Sequence, residues 1–408
     1  MDSVVNFDEI IRREGTGAVK WDAVDQREGR DGVIPLWVAD MDFPAPDTVV
    51  EALKNRAAHP VYGYTGLSKT FFESLVSWYH QQYRLTLEDR DFLIGPGTVP
   101  SLGIAVRALS APGDGVLIFT PVYHPFFDMI RQNNRQILEV PMDLDDRGRY
   151  GFRRETAEQA VAAARKQGLR VSLALFCSPH NPGGSVWEKA ELEMLLDFAG
   201  EQGITLVSDE IHGDFVYPPK NFTSLAAFGA YADRVVVISS ANKSFNLGGL
   251  HVSHFVVRDE GLKRILKTGL KELAFSQGDI FSMIAAETAY RTGASWLGAL
   301  KMYIEENIEQ AVRYLNAEAP GIRACKPEGT YLLWADAAEL ISRLGLRDDT
   351  ELTLRLEHEG RVKLTPGSAF GTRGKGFVRI NTACPRSLLL EGLGRIKAWT
   401  EGQGFSKP

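Results

Sequence analysis

A chain of 408 residues, 44% hydrophobic and 24% charged, has the balance of a globular protein long enough for two domains, which excludes a disordered chain. Its net charge of −6 argues against a basic surface for nucleic acid, and no apolar run approaches the roughly 18 residues of a membrane span. The N-terminus, Met1-Asp-Ser-Val-Val-Asn6, lacks the regions of a signal peptide, and Cys177, Cys325 and Cys384 are widely spaced in apolar contexts. A cytoplasmic protein with buried free thiols is expected.

Residues 1–46, with Trp21 and the proline-punctuated run Val33-Ile-Pro-Leu-Trp-Val-Ala-Asp-Met-Asp-Phe-Pro44, read as an extended arm packing with the small domain. Asp47 reads as the N-cap of a helix with Val50, Leu53 and Ala57 on one face, and Phe72, Leu75, Val76 and Tyr79 mark a second helix. From about 92 to 257, apolar strands at 92–94, 116–119, 171–176, 204–207, 235–238 and 252–257 alternate with helices, including 156–167 and 188–201. Such strands describe an α/β fold whose mostly parallel, mixed sheet is covered on both faces. A helix over 295–318, strands at 330–334 and 377–381, and helices near 349–360 and after Ser387 describe a smaller α+β domain. The expected boundaries are therefore an arm at 1–46, a large domain at 47–288 and a small domain at 289–408.

Polar motifs follow the strands: Gly95-Pro-Gly97-Thr98-Val99-Pro100, Thr120-Pro-Val-Tyr123-His-Pro, Ser178-Pro-His-Asn181-Pro, Asp209-Glu-Ile-His212 and Asn242-Lys243. Open α/β sheets bind ligands beyond the carboxyl ends of their strands, so these motifs describe one site. Lys243, ending the apolar run Val235-Val-Val-Ile, reads either as a loop lysine or as a Schiff-base lysine made nucleophilic by burial. Gly97-Thr98-Val99 reads as an anion cradle with Pro100 at the first helical position, or as an ordinary strand-to-helix turn. Asp209 needs a cation, either a protonated ring nitrogen or a structural arginine. Tyr123 can stack on a planar ring or pack in the core, and Arg379 can face inward to a carboxylate or outward to water. GxxxxGK[ST], GxSxG and HExxH do not occur, which removes P-loop, nucleophile-elbow and zincin chemistry and leaves no metal site. The glycines at 371–376 read as a loop.

In this order the motifs resemble the fold-type-I pyridoxal-phosphate (PLP) enzymes, the aspartate-aminotransferase-like family, over essentially the whole chain. Trp37-Val-Ala-Asp-Met-Asp-Phe, Val-Tyr-Gly-Tyr64, Ser-Asp-Glu-Ile-His-Gly-Asp and Phe-Val-Arg379-Ile-Asn-Thr-Ala-Cys-Pro-Arg resemble the MalY/PatB branch of cystathionine β-lyases and cystalysins. The resemblance implies that Lys243 binds the cofactor aldehyde and Asp209 the pyridinium nitrogen. It assigns Asn181 to the phenolic oxygen, with His212 in place of the aminotransferase tyrosine. Tyr123 would stack on the ring, while Gly97, Thr98, Val99 and Ser240 would hold the phosphate. Tyr64 would reach the phosphate of a neighbouring subunit, which implies a homodimer, and Arg379 would take the substrate carboxylate. Aminotransferases carry an arginine where this chain has His251, and commonly a serine where it has Asn242. The first departure agrees with the lyase branch.

The implied reaction is α,β-elimination from cystathionine or another S-substituted cysteine to a thiol, pyruvate and ammonia, with Lys243 as base and Tyr123, Tyr64 or Lys243 as proton donor. An aminotransferase would use the same lysine and aspartate. A regulatory protein that keeps the fold is the reading from another class.

Overall fold

The computed structural model describes residues 5–22, 32–275 and 277–403. A seven-stranded sheet is built from β1 (Phe92–Gly95), β2 (Gly115–Thr120), β3 (Gln136–Pro141), β4 (Val171–Cys177), β5 (Thr205–Asp209), β6 (Val235–Ser239) and β7 (Ser253–Val256). Their spatial order is β1-β7-β6-β5-β4-β2-β3, and β7 runs antiparallel to both neighbours. The central strands are apolar without interruption because both faces are covered. Val236 and Ile238 join Val207, Leu175 and Ile118 beneath the helices Thr98–Leu109 and Glu260–Glu272. Val235 and Val237 point the other way, toward a core that includes Leu192, Leu195 and Leu196 of the helix Lys189–Gln202. Alternation of side chains along a strand produces this division.

Most expected elements are present, with local corrections. Pro46, not Asp47, occupies the N-cap position of the helix Asp47–Ala58, and no side chain caps it. Val49 is the buried residue of that helix, while Ala57 is exposed. The helix after β1 starts at Thr98, so Pro100 is its third residue rather than its first. The edge strand β3 was not expected. Its Val140 is buried and Ile137 and Leu138 are half-buried on opposite faces, but Gln136 is exposed. Cys177 and Cys384 are buried free thiols, whereas Cys325 is exposed, contrary to the expectation for all three.

A second sheet, antiparallel throughout, orders β8 (Arg323–Ala324), β9 (Leu332–Asp336), β11 (Phe377–Asn381) and β10 (Thr365–Pro366) as β8-β9-β11-β10. Leu333, Ala335, Val378 and Ile380 pack there against Ala311 and Leu315 of the helix Ala294–Glu318 and Leu389, Leu393 and Ile396 of the helix Arg386–Gly402. The arm joins both bodies. Ile34 and Pro35 pair in parallel with Val362 and Lys363, whereas Phe7, Met41 and Phe43 enter the core around the larger sheet. No helix among the described residues is long and apolar enough to cross a membrane.

Candidate active site

The parallel register brings the strand-end motifs together. Asp209, the last residue of β5, lies opposite Cys177 on β4 and Ile238 on β6. Beyond these ends is a cavity of about 210 Å³ lined by Gly97, Thr98, Val99, Tyr123, Asn181, Asp209, His212, Asn242 and Lys243, with His251 among its walls. Each of the post-strand motifs read from the sequence contributes to this cavity. A geometry of this kind follows from parallel strands, whose carboxyl ends all emerge on one edge.

Gly97 precedes the helix Thr98–Leu109 with φ 111°, a left-handed-side conformation that glycine adopts without penalty. The first turn of that helix faces the cavity with no side-chain cap, leaving backbone donors and the positive end of the helix dipole toward whatever binds. Ser253 fixes this turn from β7: its hydroxyl accepts from Gly97 N at 3.3 Å and lies 2.8 Å from Ser101 Oγ.

Lys243 sits in the short helix Ala241–Ser244, which Ser240 caps by accepting from Asn242 N. Its ammonium donates to the carbonyl oxygen of Ala39, which also accepts from Tyr331 Oη at 2.9 Å. Burial pulls the amine from 10.5 down to about 8, with Asp40 and Asp209 acting against the trend and Arg379 adding to it. Asp209 is pushed up to about 6 by burial, opposed by the Ile211 N–H and by Lys243. Loss of hydration, followed by the nearby charges of Lys243 and Arg379, holds His212 well below the usual imidazole range. Its ring packs edge-on to Tyr331 at 5.3 Å.

Arg379 faces inward from β11 and is buried. Its Nη1 donates to Asn181 Oδ1 at 3.1 Å and its Nη2 to the Trp37 carbonyl at 3.0 Å, while its guanidinium carbon lies 4.9 Å from the Phe370 ring centre. A second, larger cleft of about 580 Å³ opens beside it and shares Ala39, Tyr123 and Lys243 with the first cavity. Lys243 therefore stands in the wall shared by the smaller chamber and the larger cleft.

Two sequence-chosen residues lie elsewhere. Ser240 is buried, but its hydroxyl donates to Val252 O at 2.6 Å and caps its own helix, and it is not part of the cavity lining. Tyr64 is fully exposed on an extended segment and does not touch the cavity of its own chain. Sequence reasoning missed the strap of residues 37–43 as a wall of the site. Asn381 Nδ2 donates to Val38 O and Asp40 O, and Asn246 Nδ2 to Met41 O and Phe43 O, so the strap is tied to the end of β11 and to the loop after the Lys243 helix. It also missed Tyr331. The unusual run Trp37-Val-Ala-Asp-Met-Asp-Phe was the available signal for the strap, and nothing local marked Tyr331.

Buried polar atoms test whether a phosphorylated aromatic cofactor suits the chamber. Thr98 Oγ1, His212 Nδ1 and Asn242 Oδ1 are shielded from water and find no partner among the described residues, and all belong to lining residues. Buried polar groups are normally satisfied, so unspent groups around one chamber fit a polar ligand. An anion cradle at one end, a carboxylate at the strand ends and a lysine in the wall fit a PLP-type group in shape and charge.

Comparison with known proteins agrees with this geometry. The model of the family described as Aminotransferase class I and II matches residues 31–396. Cystathionine β-lyase PatB of Bacillus subtilis is 36% identical over 97% of this chain and 99% of its own length. Protein MalY of Escherichia coli is 31% identical over 95% of this chain and 97% of its own. The structure of cystalysin from Treponema denticola, which contains pyridoxal 5'-phosphate, superimposes with a TM-score of 0.91 at 30% identity, covering 98% of this chain and 99% of that one. The chain belongs to the class I and II aminotransferase family, with the fold-type-I architecture.

Proposed function

We propose that this protein is a PLP-dependent C–S β-lyase that converts cystathionine or a related S-substituted cysteine to a thiol, pyruvate and ammonia. The observation that carries the chemistry is the convergence of the cradle, Asp209, Asn181 and Lys243 on one chamber whose wall opens to Arg379. Similarity to PatB and cystalysin favours lyase over transaminase outcome. PLP, when bound, supplies the electron sink for the substrate α-carbon.

The chain supplies the rest. The N–H groups at the start of the helix Thr98–Leu109, with Thr98 Oγ1, would hold the phosphate. His251, exposed at the chamber mouth, stands where the family's aminotransferases have an arginine. Asp209 holds the ring nitrogen as a cation, because a buried carboxylate is stabilised by an adjacent positive charge. Asn181 and His212 line the chamber and would meet the polar edge of the ring, and Tyr123 lines the chamber and the cleft alike. Arg379 pairs with the substrate carboxylate through its planar fork. Lys243 would anchor the cofactor through its amine, and that amine, when free, is placed to take the substrate's α-proton. An amine lowered from 10.5 to about 8 is neutral near neutral pH in a far larger fraction than an ordinary lysine, which suits a base. The C–S bond then breaks, the thiolate takes a proton from Tyr123, Tyr64 or Lys243, and water hydrolyses the three-carbon fragment.

A homodimer belongs to this reading. Tyr64 stands exposed with Val61 and Tyr62, away from its own chain's chamber and accessible to a second subunit. A cytoplasmic setting also belongs to it, in keeping with three free cysteines.

The test is pyruvate release from cystathionine and S-alkyl cysteines by the PLP-loaded enzyme with no keto acid added. Turnover is expected. A strict requirement for a keto-acid acceptor would replace the lyase with a transaminase. A stable protein partner together with no turnover of any amino thioether would favour a binding role.

A further inference from the structure

The larger cleft carries charge at both ends. Its inner end holds Lys243 and Arg379, and its outer wall holds Trp37, Glu357 and Lys363. Lys363 Nζ lies 3.2 Å from Glu357 Oε1 and 4.7 Å from the centre of the Trp37 ring. Glu357 is only 6% exposed, and the neighbouring wall is apolar at Leu354, Leu364 and Pro366.

The register relates the two ends. Thr365 pairs with Arg379 across β10 and β11. Lys363 is two residues earlier and lines the same cleft, roughly 7 Å further along the chain. Trp37 spans the interval: its carbonyl accepts from Arg379 and from Thr365 Oγ1 at 3.1 Å, while its ring lies beneath Lys363. A cleft with a carboxylate-binding arginine at one end and a lysine–glutamate pair at the other matches a ligand with two zwitterionic heads. Desolvating an ion pair in an apolar wall offers little stability compared with hydrophobic residues of similar volume. A role in recognition accounts for the pair better than packing does.

We infer that Lys363, with Glu357 and the face of Trp37, forms a distal subsite for a second α-amino carboxylate carried by the leaving thiol. Lys363 takes the distal carboxylate and Glu357 faces the distal ammonium. The preferred substrates are then thioethers joining cysteine to another amino acid, over S-alkyl cysteines of similar length. This inference rests on the lyase reading above.

The experiment measures pyruvate formation by the holoenzyme and its Lys363→Met, Lys363→Arg and Glu357→Gln variants. The substrates are cystathionine, S-(2-carboxyethyl)cysteine and S-propylcysteine. In Lys363→Met, kcat/KM for cystathionine is expected to fall at least about tenfold further than for S-propylcysteine, mainly through KM, as for loss of one charge-assisted contact. Lys363→Arg should retain most of the preference. Glu357→Gln should shift preference toward S-(2-carboxyethyl)cysteine, which has no distal ammonium. Parallel losses on all three substrates in Lys363→Met would overturn the subsite while leaving the lyase intact. No pyruvate from any thioether with the parent enzyme would overturn both.

Discussion

Replacing Lys243 by methionine should stabilise the cofactor-free protein at neutral pH. The lysine amine is depressed from 10.5 to about 8, chiefly by burial. That depression corresponds to roughly 3 kcal/mol against the charged amine, and partial contact with the open cleft reduces it to about 2 kcal/mol. In the unfolded chain the lysine keeps its proton up to 10.5, whereas in the folded chain it releases it from about 8. Between those values the unfolded state binds more protons, so stability rises with pH across this window, and the penalty is complete below 8. Methionine fills a similar volume and brings no charge. The Ala39 carbonyl is not orphaned by the change, because Tyr331 Oη still donates to it at 2.9 Å. Urea unfolding at fixed protein concentration should therefore show the variant more stable by about 2 kcal/mol at pH 7, the advantage disappearing near pH 10.5. A variant less stable than its parent at pH 7, or an advantage that does not change with pH, would refute the reasoning. The same variant should lack lyase turnover.

Asp209→Asn should weaken PLP binding by about 30-fold or more, the loss of one partner from a buried charge pair, as read by absorbance titration of the cofactor-free protein. Affinity within threefold of the parent would remove Asp209 from that role. Subunit mixing checks Tyr64: coexpressed Lys243→Ala and Tyr64→Phe chains should regain activity above either homodimer, because one chamber in each mixed dimer is then unmutated. Activity no higher than the sum of the two homodimers would confine Tyr64 to its own chain or to no role.

The motifs that converge on the chamber were legible in the sequence because each ends a strand. A strand buried on both faces is a continuous apolar run, and its carboxyl end is marked where polarity returns. Val235–Ser239 followed by Ser240 and Lys243 is such a transition, and Thr205–Asp209 is another. β3 was less legible because Gln136 and Glu139 interrupt its apolar run.

Local pattern therefore determined which residues end at the catalytic edge, through Lys243, Asp209 and Asn181. Only the tertiary structure decided that Arg379 faces inward, that Ser240 spends its hydroxyl on Val252 O, and that the Ala39 carbonyl accepts from both Lys243 and Tyr331. The bonds from Lys243 to Ala39 and from Arg379 to Trp37 span 204 and 342 residues. Contacts so distant along the chain leave no period in the sequence, because they arise when separately formed elements pack, whereas a strand and the turn that ends it are set by their own residues.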